Sequence, residues 1–323
     1  MDTVLYLATN EGLATVERSA GEWRLRARSL EGRSITCVAA GGGFVLAGAR
    51  DGLHRSEDHG ATWQPANGGL EIPHIRWLAF NPAGDGWAFA GTEPAGIFVS
   101  LDSGGSWRAC PEVKQLRERH RWSLPYSPES GCVRGFAFHG QRGYAAVEDG
   151  CVLVSFDSGE SWEVAAGSRG GADHYPQQPY IHSDVHSIAV HPDSSDLVAA
   201  PTGGGFFRSK DGGKSWENLY RCYCRAVWID SADPDHLILG PADGVDRYGR
   251  IEETLDGGHS WRIASSGLDT PWRNHMVERF AQVGDELLAV LSNGELISTR
   301  LGDLQWRRIL PELGDVAAVA MEA

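Results

Sequence analysis

Short apolar stretches that alternate with polar positions recur along the chain and indicate β-strands. In the segment 35–63, residues 35–40 alternate and predict a buried strand, and residues 44–48 predict a second strand after a run of glycines. Asp51-Gly52 has the composition of a tight hairpin turn, and residues 53–56 follow it as a third strand. A fourth strand is expected after the tryptophan that ends the segment. The pattern therefore predicts units of four short antiparallel strands.

One motif, S/T-x-D-x-G-x-S/T-W, closes the third strand of this unit and recurs along the chain. Its close copies end at Trp63, Trp107, Trp162, Trp216 and Trp261, and two degenerate copies end at Trp23 and Trp306. These tryptophans are 40, 44, 55, 54, 45 and 45 positions apart. A repeat of this length with four strands per unit is typical of a β-propeller, in which each repeat forms one blade.

The ends of the chain predict how the ring closes. The innermost strands of the blades are expected to start near Ile35, Ile75, Val133, Val185, Cys224, Val277 and Val316. The last of them has no strands after it, whereas residues 4–8 form a strand that lacks an innermost strand before it. The C-terminal strand is therefore predicted to complete the N-terminal blade, which closes the ring and leaves only short, protected sheet edges. We expect one all-β domain, residues 1–323, with seven blades.

The aspartate of the motif has a structural interpretation. Its carboxylate can accept hydrogen bonds from the backbone of its own turn, the glycine permits a positive φ, and the tryptophan can pack between blades. A catalytic aspartate would not be needed in every repeat. The five aspartates are therefore interpreted as turn-stabilising residues.

Composition narrows the classes of partner. The 323 residues carry a net charge of −14, which disfavours binding to nucleic acid. No apolar run approaches the roughly 20 residues of a membrane-spanning helix, and the N-terminal residues lack the basic and cleavage-site features of a signal peptide. The six cysteines lie mostly in strand-like segments and do not form a dense disulfide pattern. We expect a reduced, cytoplasmic and monomeric protein.

The repeated motif resembles the BNR or Asp-box repeat. That repeat occurs in sialidases, sortilin-type receptors, xyloglucan-degrading hydrolases and photosystem II assembly factors of the Ycf48 type. The resemblance covers essentially the whole chain and implies a propeller. One fold hosts many unrelated functions, so the resemblance implies several activities at once.

The second residue of each innermost strand forms the main candidate site. In chain order these ring positions are Thr36, Arg76, Arg134, His186, Arg225, Glu278 and Ala317. Equivalent positions of a ring converge on its axis, so three arginines and a histidine are expected at one mouth of the channel. Such a group favours an anionic ligand. Alternatively, each arginine bonds neighbouring carbonyls or pairs with Glu278, Asp184 or Asp315.

Two long segments, 111–131 and 165–183, precede innermost strands and widen this candidate site. Their content of aromatic residues, arginine and histidine is typical of the lining of a pocket. The insertion 246–250 and the segment 272–275 have a similar composition and are expected near the same face. The further ligand-binding candidates are His74, His120, Trp122, Tyr126, His174, Tyr180, His182, Arg247, Trp272 and His275.

A metal site is the less favoured interpretation of the histidines. His182, Asp184 and His186 would share one face of a strand, and His182, His186 and Glu278 are the expected ligands if a divalent cation is bound. The three arginines would repel a cation at that position. No metal or other cofactor is therefore favoured.

Three kinds of function remain. The favoured one is a binding or scaffold propeller that recognises an anionic small molecule, a glycan or an acidic peptide; the Ycf48-type resemblance implies protein partners. The first alternative is a glycoside hydrolase, and the second is a metal-dependent lactonase or lyase with an ion on the axis.

For the hydrolase, the sialidase resemblance implies a carboxylate clamp of Arg76, Arg134 and Arg225. It also implies a tyrosine nucleophile beside Glu278, for which the candidates are Tyr126, Tyr175, Tyr180 and Tyr223, with Tyr223 as the first choice. The sialidase motif F/Y-R-I-P is absent, and sialidases have six blades. Other Asp-box glycosidases imply a pair of carboxylates, for which the candidates are Asp184, Asp246, Glu278 and Asp315, and no pair among them stands out.

Overall fold

The computed structural model describes residues 3–84, 86–128 and 130–322. Within them, the strands form seven antiparallel sheets of four strands each, arranged as a ring. The predicted all-β, seven-bladed propeller is confirmed. None of the helical segments in the described ranges has the length and apolar character needed to span a bilayer.

The strands are short and follow each other blade by blade, with the innermost strand first from blade 2 onward. Blade 1 begins with β1 (Val4–Thr9), β2 (Gly12–Ser19) and β3 (Glu22–Ser29), and blade 2 contains β4 (Ile35–Gly41), β5 (Phe44–Ala49), β6 (Gly52–Ser56) and β7 (Gln64–Pro65). Blade 3 contains β8 (Ile75–Phe80), β9 (Ala88–Thr92), β10 (Ile97–Ser100) and β11 (Arg108–Ala109), and the helix α1 (Pro111–His120) follows it. Blade 4 contains β12 (Cys132–His139), β13 (Arg142–Glu148), β14 (Val152–Ser155) and β15 (Glu163–Val164), and blade 5 contains β16 (Ala189–His191), β17 (Ser194–Thr202), β18 (Gly205–Ser209) and β19 (Glu217–Tyr220). Blade 6 contains β20 (Tyr223–Ile229), β21 (Leu237–Ala242), β22 (Glu252–Thr254) and β23 (Arg262–Ile263). Blade 7 contains β24 (Val277–Val283), β25 (Glu286–Leu291), β26 (Leu296–Arg300) and β27 (Arg307–Ile309). The last strand of the chain is β28 (Val316–Met321).

The C-terminal strand closes the ring. β28 pairs antiparallel with β1, with Leu5 opposite Met321 and Ala8 opposite Ala318, and so becomes the innermost strand of blade 1. The predicted closure is confirmed. Because the two ends of the chain share one sheet, hydrogen bonds of the backbone hold the first and last blades together.

The hydrophobic core lies between the blades. Seven clusters of buried apolar side chains form in the described part of the chain, and each bridges two neighbouring blades. In one of them Trp107, at the end of a motif copy in blade 3, packs with Leu46 and Leu53 of blade 2. Its indole Nε1 donates a hydrogen bond to the carbonyl oxygen of Ala66 at 3.1 Å. The repeated tryptophan therefore packs against the preceding blade.

The motif forms the same turn in each close copy, which we call the box turn. In blade 3 the Asp102 carboxylate accepts hydrogen bonds from the Ser100 hydroxyl at 2.7 Å and from the backbone N–H and the hydroxyl of Ser106 at 2.8 Å each. Gly104 has φ +84°, and a Cβ there would lie 2.5 Å from Leu46 of blade 2. The glycine thus permits both the turn and the close approach of two blades.

The first long segment differs from the expected loop. Its first ten residues form α1, which begins with Pro111 in its first turn and ends at Arg121 in the left-handed conformation, φ 55°. Trp122 is buried, and its Nε1 donates to the carbonyl oxygen of Gly170 in the second long segment. The two segments are therefore one connected layer over blades 3 to 5.

A box-turn carboxylate should stabilise the fold in a pH-dependent way. Burial alone would raise the pKa of Asp102, but the hydrogen bonds from Ser100 and Ser106 lower it to about 2. Because the pKa in the folded protein lies below the ordinary value of 3.8, the stabilisation is present above about pH 4 and is lost as the pH falls through 2. We expect Asp102→Asn to lower the free energy of unfolding by about 1 kcal/mol at pH 7, since the turn is exposed to water.

Urea unfolding at pH 7 and near pH 2 measures this difference. The control is Asp303→Asn, because the exposed Asp303 side chain makes no hydrogen bond to the described residues. A loss that is the same at both pH values, or equal to that of the control, would contradict the role of the carboxylate.

Candidate functional site

A β-bulge lies at each ring position. The register of the ladder between the innermost strand and its neighbour shifts by one residue at Thr36, Arg76, Arg134, Glu278 and Ala317, and between Cys224 and Val227 around Arg225. A bulged residue is left unpaired, and the bulge re-aims its side chain. The sequence predicted these positions but not the bulges that present them.

Blade 5 also has a bulged residue at its ring position, although its innermost strand is shorter than expected. Its innermost strand was expected near Val185 but β16 starts at Ala189, and Val185 makes only a single bridge with Thr202. Between that bridge and the pairing of Ala189 with Ala199, the inner segment has one residue more than its partner. His186 lies in this bulged stretch, at the ring position of the blade.

An ion-pair chain crosses the channel between blades 4, 7 and 6. Arg134 lies 3.0 Å from the Glu148 carboxylate and 3.5 Å from the Glu278 carboxylate, and Arg225 also pairs with Glu278. The hydroxyl of Tyr223 accepts hydrogen bonds from Arg225, at 3.3 and 3.1 Å from two guanidinium nitrogens. Arg225 therefore lies between Tyr223 and Glu278, the two residues proposed to act as a nucleophilic pair.

The third ring arginine is also paired. Arg76 lies 3.1 Å from Glu93, a buried residue in the hairpin after β9, and His74 is 3.9 Å from the same carboxylate. All three arginines that the sequence offered to an anion thus have carboxylate partners. Of those partners, the sequence had named only Glu278.

The sequence did not identify Arg279, which directly follows a ring position. Its guanidinium lies over the ring of Trp77, 3.9 Å from the centroid, so it reaches from blade 7 to blade 3. Arg279 makes no ion pair or hydrogen bond with the described residues. A regular strand would turn Glu278 and Arg279 to opposite faces, but the bulge brings both of them into the channel.

These side chains form the floor of a cavity of about 450 Å³, which we call the axial cup. Arg76, Arg134, Glu278 and Arg279 line its floor. Hydroxyl, amide and charged groups from blades 1, 2 and 7 line its wall, namely Asn10, Ser34, Arg50, Ser292, Asn293 and Asp315.

An acidic cluster lies beside the ion-pair chain, where blades 4 and 5 meet. Glu148 is the last residue of β13, Asp149 follows it in the hairpin, and Asp184 precedes the bulge of blade 5. The donor atoms of Glu148, Asp184 and His186 lie within 4.8 Å of one another. His186 Nδ1 donates to the carbonyl oxygen of Cys224 at 2.8 Å, which directs Nε2 to Asp184 at 3.0 Å.

The carboxyl groups of this cluster have pKa values shifted in opposite directions. Burial raises the pKa of Asp149 to about 6, with a further increase from the charge of Asp184, although His174 at 3.1 Å partly offsets it. Burial also disfavours the charged form of Asp184, but the charge and the hydrogen bond of His186 outweigh burial and lower its pKa.

The carboxylate of Glu148, the third acidic group of the cluster, is stabilised in its charged form by several neighbours. Burial would raise its pKa, but the Arg134 guanidinium and hydrogen bonds from the Cys132 thiol and the Tyr126 hydroxyl contribute to a pKa of about 2. The same environment raises the pKa of Tyr126, chiefly through burial. Tyr126, from the first long segment, therefore reaches the cluster.

Tyr223 is unsuited to act as an activated nucleophile. Burial raises its pKa to about 12, and the nearby Arg225 only partly offsets the shift. Its hydroxyl also lies 3.3 Å from His186 Nε2. Tyr223 is thus held between two neighbours in its neutral form.

The second long segment forms a groove of about 420 Å³ next to the acidic cluster. Its lining includes His174, Tyr175, Tyr180 and His182. His174 and His182 lie side by side with ring centroids 5.3 Å apart, and Arg169 stacks on Tyr180 at 4.5 Å. We call this the loop groove; it adjoins the cluster through the contact of His174 with Asp149.

The remaining candidates lie apart from these features. His120 packs close to Gly170, between the two long segments, and the neighbouring Trp122 is buried. Trp272 stacks on His275 with centroids 5.0 Å apart, and Arg247 is exposed. These five residues support or flank the loops, and none of them lines the axial cup or the loop groove.

The expected metal ligands are not brought together as a set. Glu278 is enclosed by two arginines, and His182 Nδ1 accepts the backbone N–H of Asp184 at 3.2 Å. Among the described residues, Glu148, Asp184 and His186 are the group whose spacing could hold a divalent cation. Arg134 already supplies positive charge to Glu148, so one carboxylate of this group has a cationic partner within the protein.

Comparisons with known proteins give two curated relatives, one of which covers most of this chain, and a set of similar folds. No family model matches the chain. The oligoxyloglucan-reducing end-specific xyloglucanase of Emericella nidulans is 40% identical over 238 residues, which cover 69% of this chain and 26% of that protein. The chain thus spans about a quarter of the length of that relative.

Two solved structures are similar in fold. An ancestral GH74 enzyme matches with a TM-score of 0.62 and 16% identity over 89% of this chain and 38% of its own. A Ycf48 protein bound to D1 peptide matches with a TM-score of 0.62 and 16% identity over 94% of both chains. At such identities the likeness establishes the propeller fold alone.

The ion-pair chain should be essential to the ring. Glu278→Gln removes the carboxylate that neutralises Arg134 and Arg225, so two partly buried guanidinium groups lose a partner. We expect the free energy of unfolding to fall by about 3 kcal/mol, as when one member of a buried pair is removed. Urea unfolding measures it, with the exposed Glu312→Gln as control. A loss no larger than that of the control would show that the chain is not needed for stability.

Proposed function

We propose that the protein hydrolyses glycosidic bonds in an oligosaccharide bound across the acidic cluster and the loop groove. The observation that carries this proposal is the opposite shift of the pKa values of Asp149 and its neighbours Glu148 and Asp184. Glycosidases need one carboxyl group that keeps its proton and a second that stays ionised. The cluster offers both within one small volume.

Asp149 is the proposed general acid. Its pKa of about 6 leaves a large fraction protonated in mildly acidic solution, so it can donate a proton to the leaving-group oxygen. The Nε2 atom of His174 lies 3.1 Å from its carboxylate and connects it to the loop groove. The acid is therefore next to the surface on which the sugar would lie.

Asp184 is the proposed ionised partner. His186 holds it at 3.0 Å and lowers its pKa, and 19% of its side chain is exposed. Glu148 is more buried and is already bonded by Arg134, Cys132 and Tyr126. We therefore assign Glu148 the role of positioning Arg134 and keeping the negative potential that holds the proton on Asp149.

The loop groove supplies a surface suited to sugar rings. Tyr175 is 89% exposed, and Tyr180 lies in the same groove with the amide side chains of Gln177 and Gln178. Aromatic faces with a few placed polar groups are typical of small-molecule sites. The C–H face of a sugar can stack on a tyrosine while the amides bond its hydroxyl groups.

The comparisons support the same class of reaction. The curated relative is a xyloglucanase, and GH74 enzymes are among the similar folds. Xyloglucan oligosaccharides are therefore the first substrates to test.

Binding without turnover is the second candidate function. One observation favours it: the Ycf48 structure that carries a bound peptide matches this ring over 94% of both chains. In that case the protein would bind an acidic peptide or an anionic small molecule and release no sugar.

Substitution of the proposed acid and its partner should abolish hydrolysis. We expect Asp149→Asn and Asp184→Asn each to lower kcat by roughly a hundred-fold to ten-thousand-fold, the range for general acid–base groups. In the wild-type protein the rate should fall as the pH rises above about 6, because Asp149 then loses its proton.

Release of reducing ends from xyloglucan oligosaccharides between about pH 4 and 8 provides the measurement, since the unperturbed and shifted carboxyl groups titrate in that range. Asp269→Asn, at an exposed residue outside the cluster, is the control. The proposal would be wrong if the wild-type protein released no sugar from any glycan tested. It would also be wrong if the Asp149→Asn variant had an unchanged rate.

Tyr175 should contribute to substrate binding. We expect Tyr175→Ala to raise KM by about five-fold with little change in kcat, since a lost aromatic contact is worth about 1 kcal/mol. Tyr175→Phe should restore KM because it keeps the ring. Tyr248→Ala, at an exposed tyrosine outside the groove, is the matched control. Equal KM values for the two alanine variants would exclude the stacking role.

A further inference from the structure

The axial cup contains a guanidinium group without an anionic partner. Arg279 rests with one face on Trp77, and its five N–H donors make no hydrogen bond to the described residues. A partly buried donor group that lacks acceptors loses free energy of solvation, and this is more serious for a charged group. Arg279 is one of the residues that line the cavity.

The neighbouring carboxylates cannot neutralise Arg279, because they already serve other cations. Glu278 pairs with Arg134 and Arg225, and Glu93 pairs with Arg76. Burial, together with the charges of Arg134 and Arg76, lowers the pKa of Arg279 to about 10, which leaves it charged at neutral pH. The floor of the cup therefore carries excess positive charge.

The residues of the wall of the cup determine which kind of molecule could carry the bound anionic group. Arg50 is exposed on the wall and makes no ion pair with the described residues, whereas Asp315 is the wall's carboxylate. Asn10, Ser34 and Asn293 add amide and hydroxyl groups. The wall thus offers hydrogen bonds to a polar body and little apolar surface, and its carboxylate disfavours a ligand with several negative charges.

We propose that the axial cup binds a small polyhydroxylated carboxylate, such as a sugar acid, with its carboxylate on the free edge of Arg279. The planar guanidinium fits a carboxylate through two parallel hydrogen bonds. The hydroxyl groups of the ligand bond the amides and hydroxyls of the wall. A volume of about 450 Å³ lies in the range of small-molecule sites. This binding does not depend on the proposed hydrolysis, because it uses other side chains and is measured without turnover.

Isothermal titration of the full-length protein with glucuronate tests the proposal, with glucose as the uncharged counterpart. We expect glucuronate to bind with a Kd of about 10 μM to 1 mM, roughly the affinity of one bidentate ion pair and a few hydrogen bonds, and glucose to bind at least ten-fold more weakly. Arg279→Gln should weaken glucuronate binding by at least ten-fold, and Arg279→Lys should be intermediate because it keeps the charge without the fork.

Two further variants keep the test decisive if Arg279→Gln fails to fold. Arg50→Gln changes an exposed wall residue and should weaken glucuronate binding by about three-fold, the effect of one exposed charge. Arg24→Gln, at an exposed arginine outside the cup, should bind as the wild type does. Equal affinity for glucuronate and glucose, or unchanged binding in Arg279→Gln, would overturn the proposal. If Arg279→Gln does not fold, unchanged binding in Arg50→Gln would overturn it.

Inorganic phosphate separates recognition of a sugar acid from recognition of charge. If phosphate binds at least ten-fold more weakly than glucuronate, the hydroxylated body contributes to binding as proposed. If phosphate binds as tightly and displaces glucuronate, the cup recognises charge alone, and the assignment to a sugar acid is wrong.

Discussion

Charges that converge on a narrow axis have to be neutralised there. Pairing of β28 with β1 closes the ring, and closure brings the bulged residue of every innermost strand towards one channel. Three of these residues are arginines, and leaving them unpaired would be costly. The ion-pair chain through Glu278 follows from that constraint, as do the hairpin carboxylates Glu93 and Glu148. Arg279 is the exception, because it has no carboxylate partner among the described residues.

The sequence predicted the ring and the positions around its axis because both follow from the repeat. The spacing of the box turns gives the number of blades, and a terminal strand without a blade of its own gives the closure. Equivalent positions in the repeat, such as Arg76 and Arg225, are equivalent in space. This reasoning needs no knowledge of side-chain contacts, which explains its success for the fold.

The partners of the ring residues could not be predicted in the same way. Glu93 follows the second strand of blade 3 and Glu148 ends the second strand of blade 4, where the repeat does not constrain residue type. The bulge that turns Arg279 inward depends on the ladder register, which a short apolar segment does not reveal. The acidic cluster joins the hairpin of one blade to the inner segment of the next, so Asp149 and Asp184 become neighbours only in the folded ring.

The buried indole of Trp122 links the two long segments through its hydrogen bond to Gly170. Shortening of the second segment that removed this acceptor would leave a donor without a partner inside the first. The two insertions are therefore expected to have changed together during evolution, as a paired addition to an otherwise regular repeat. New specificities in such a protein would arise by remodelling both insertions at once, while the ring beneath them stays the same.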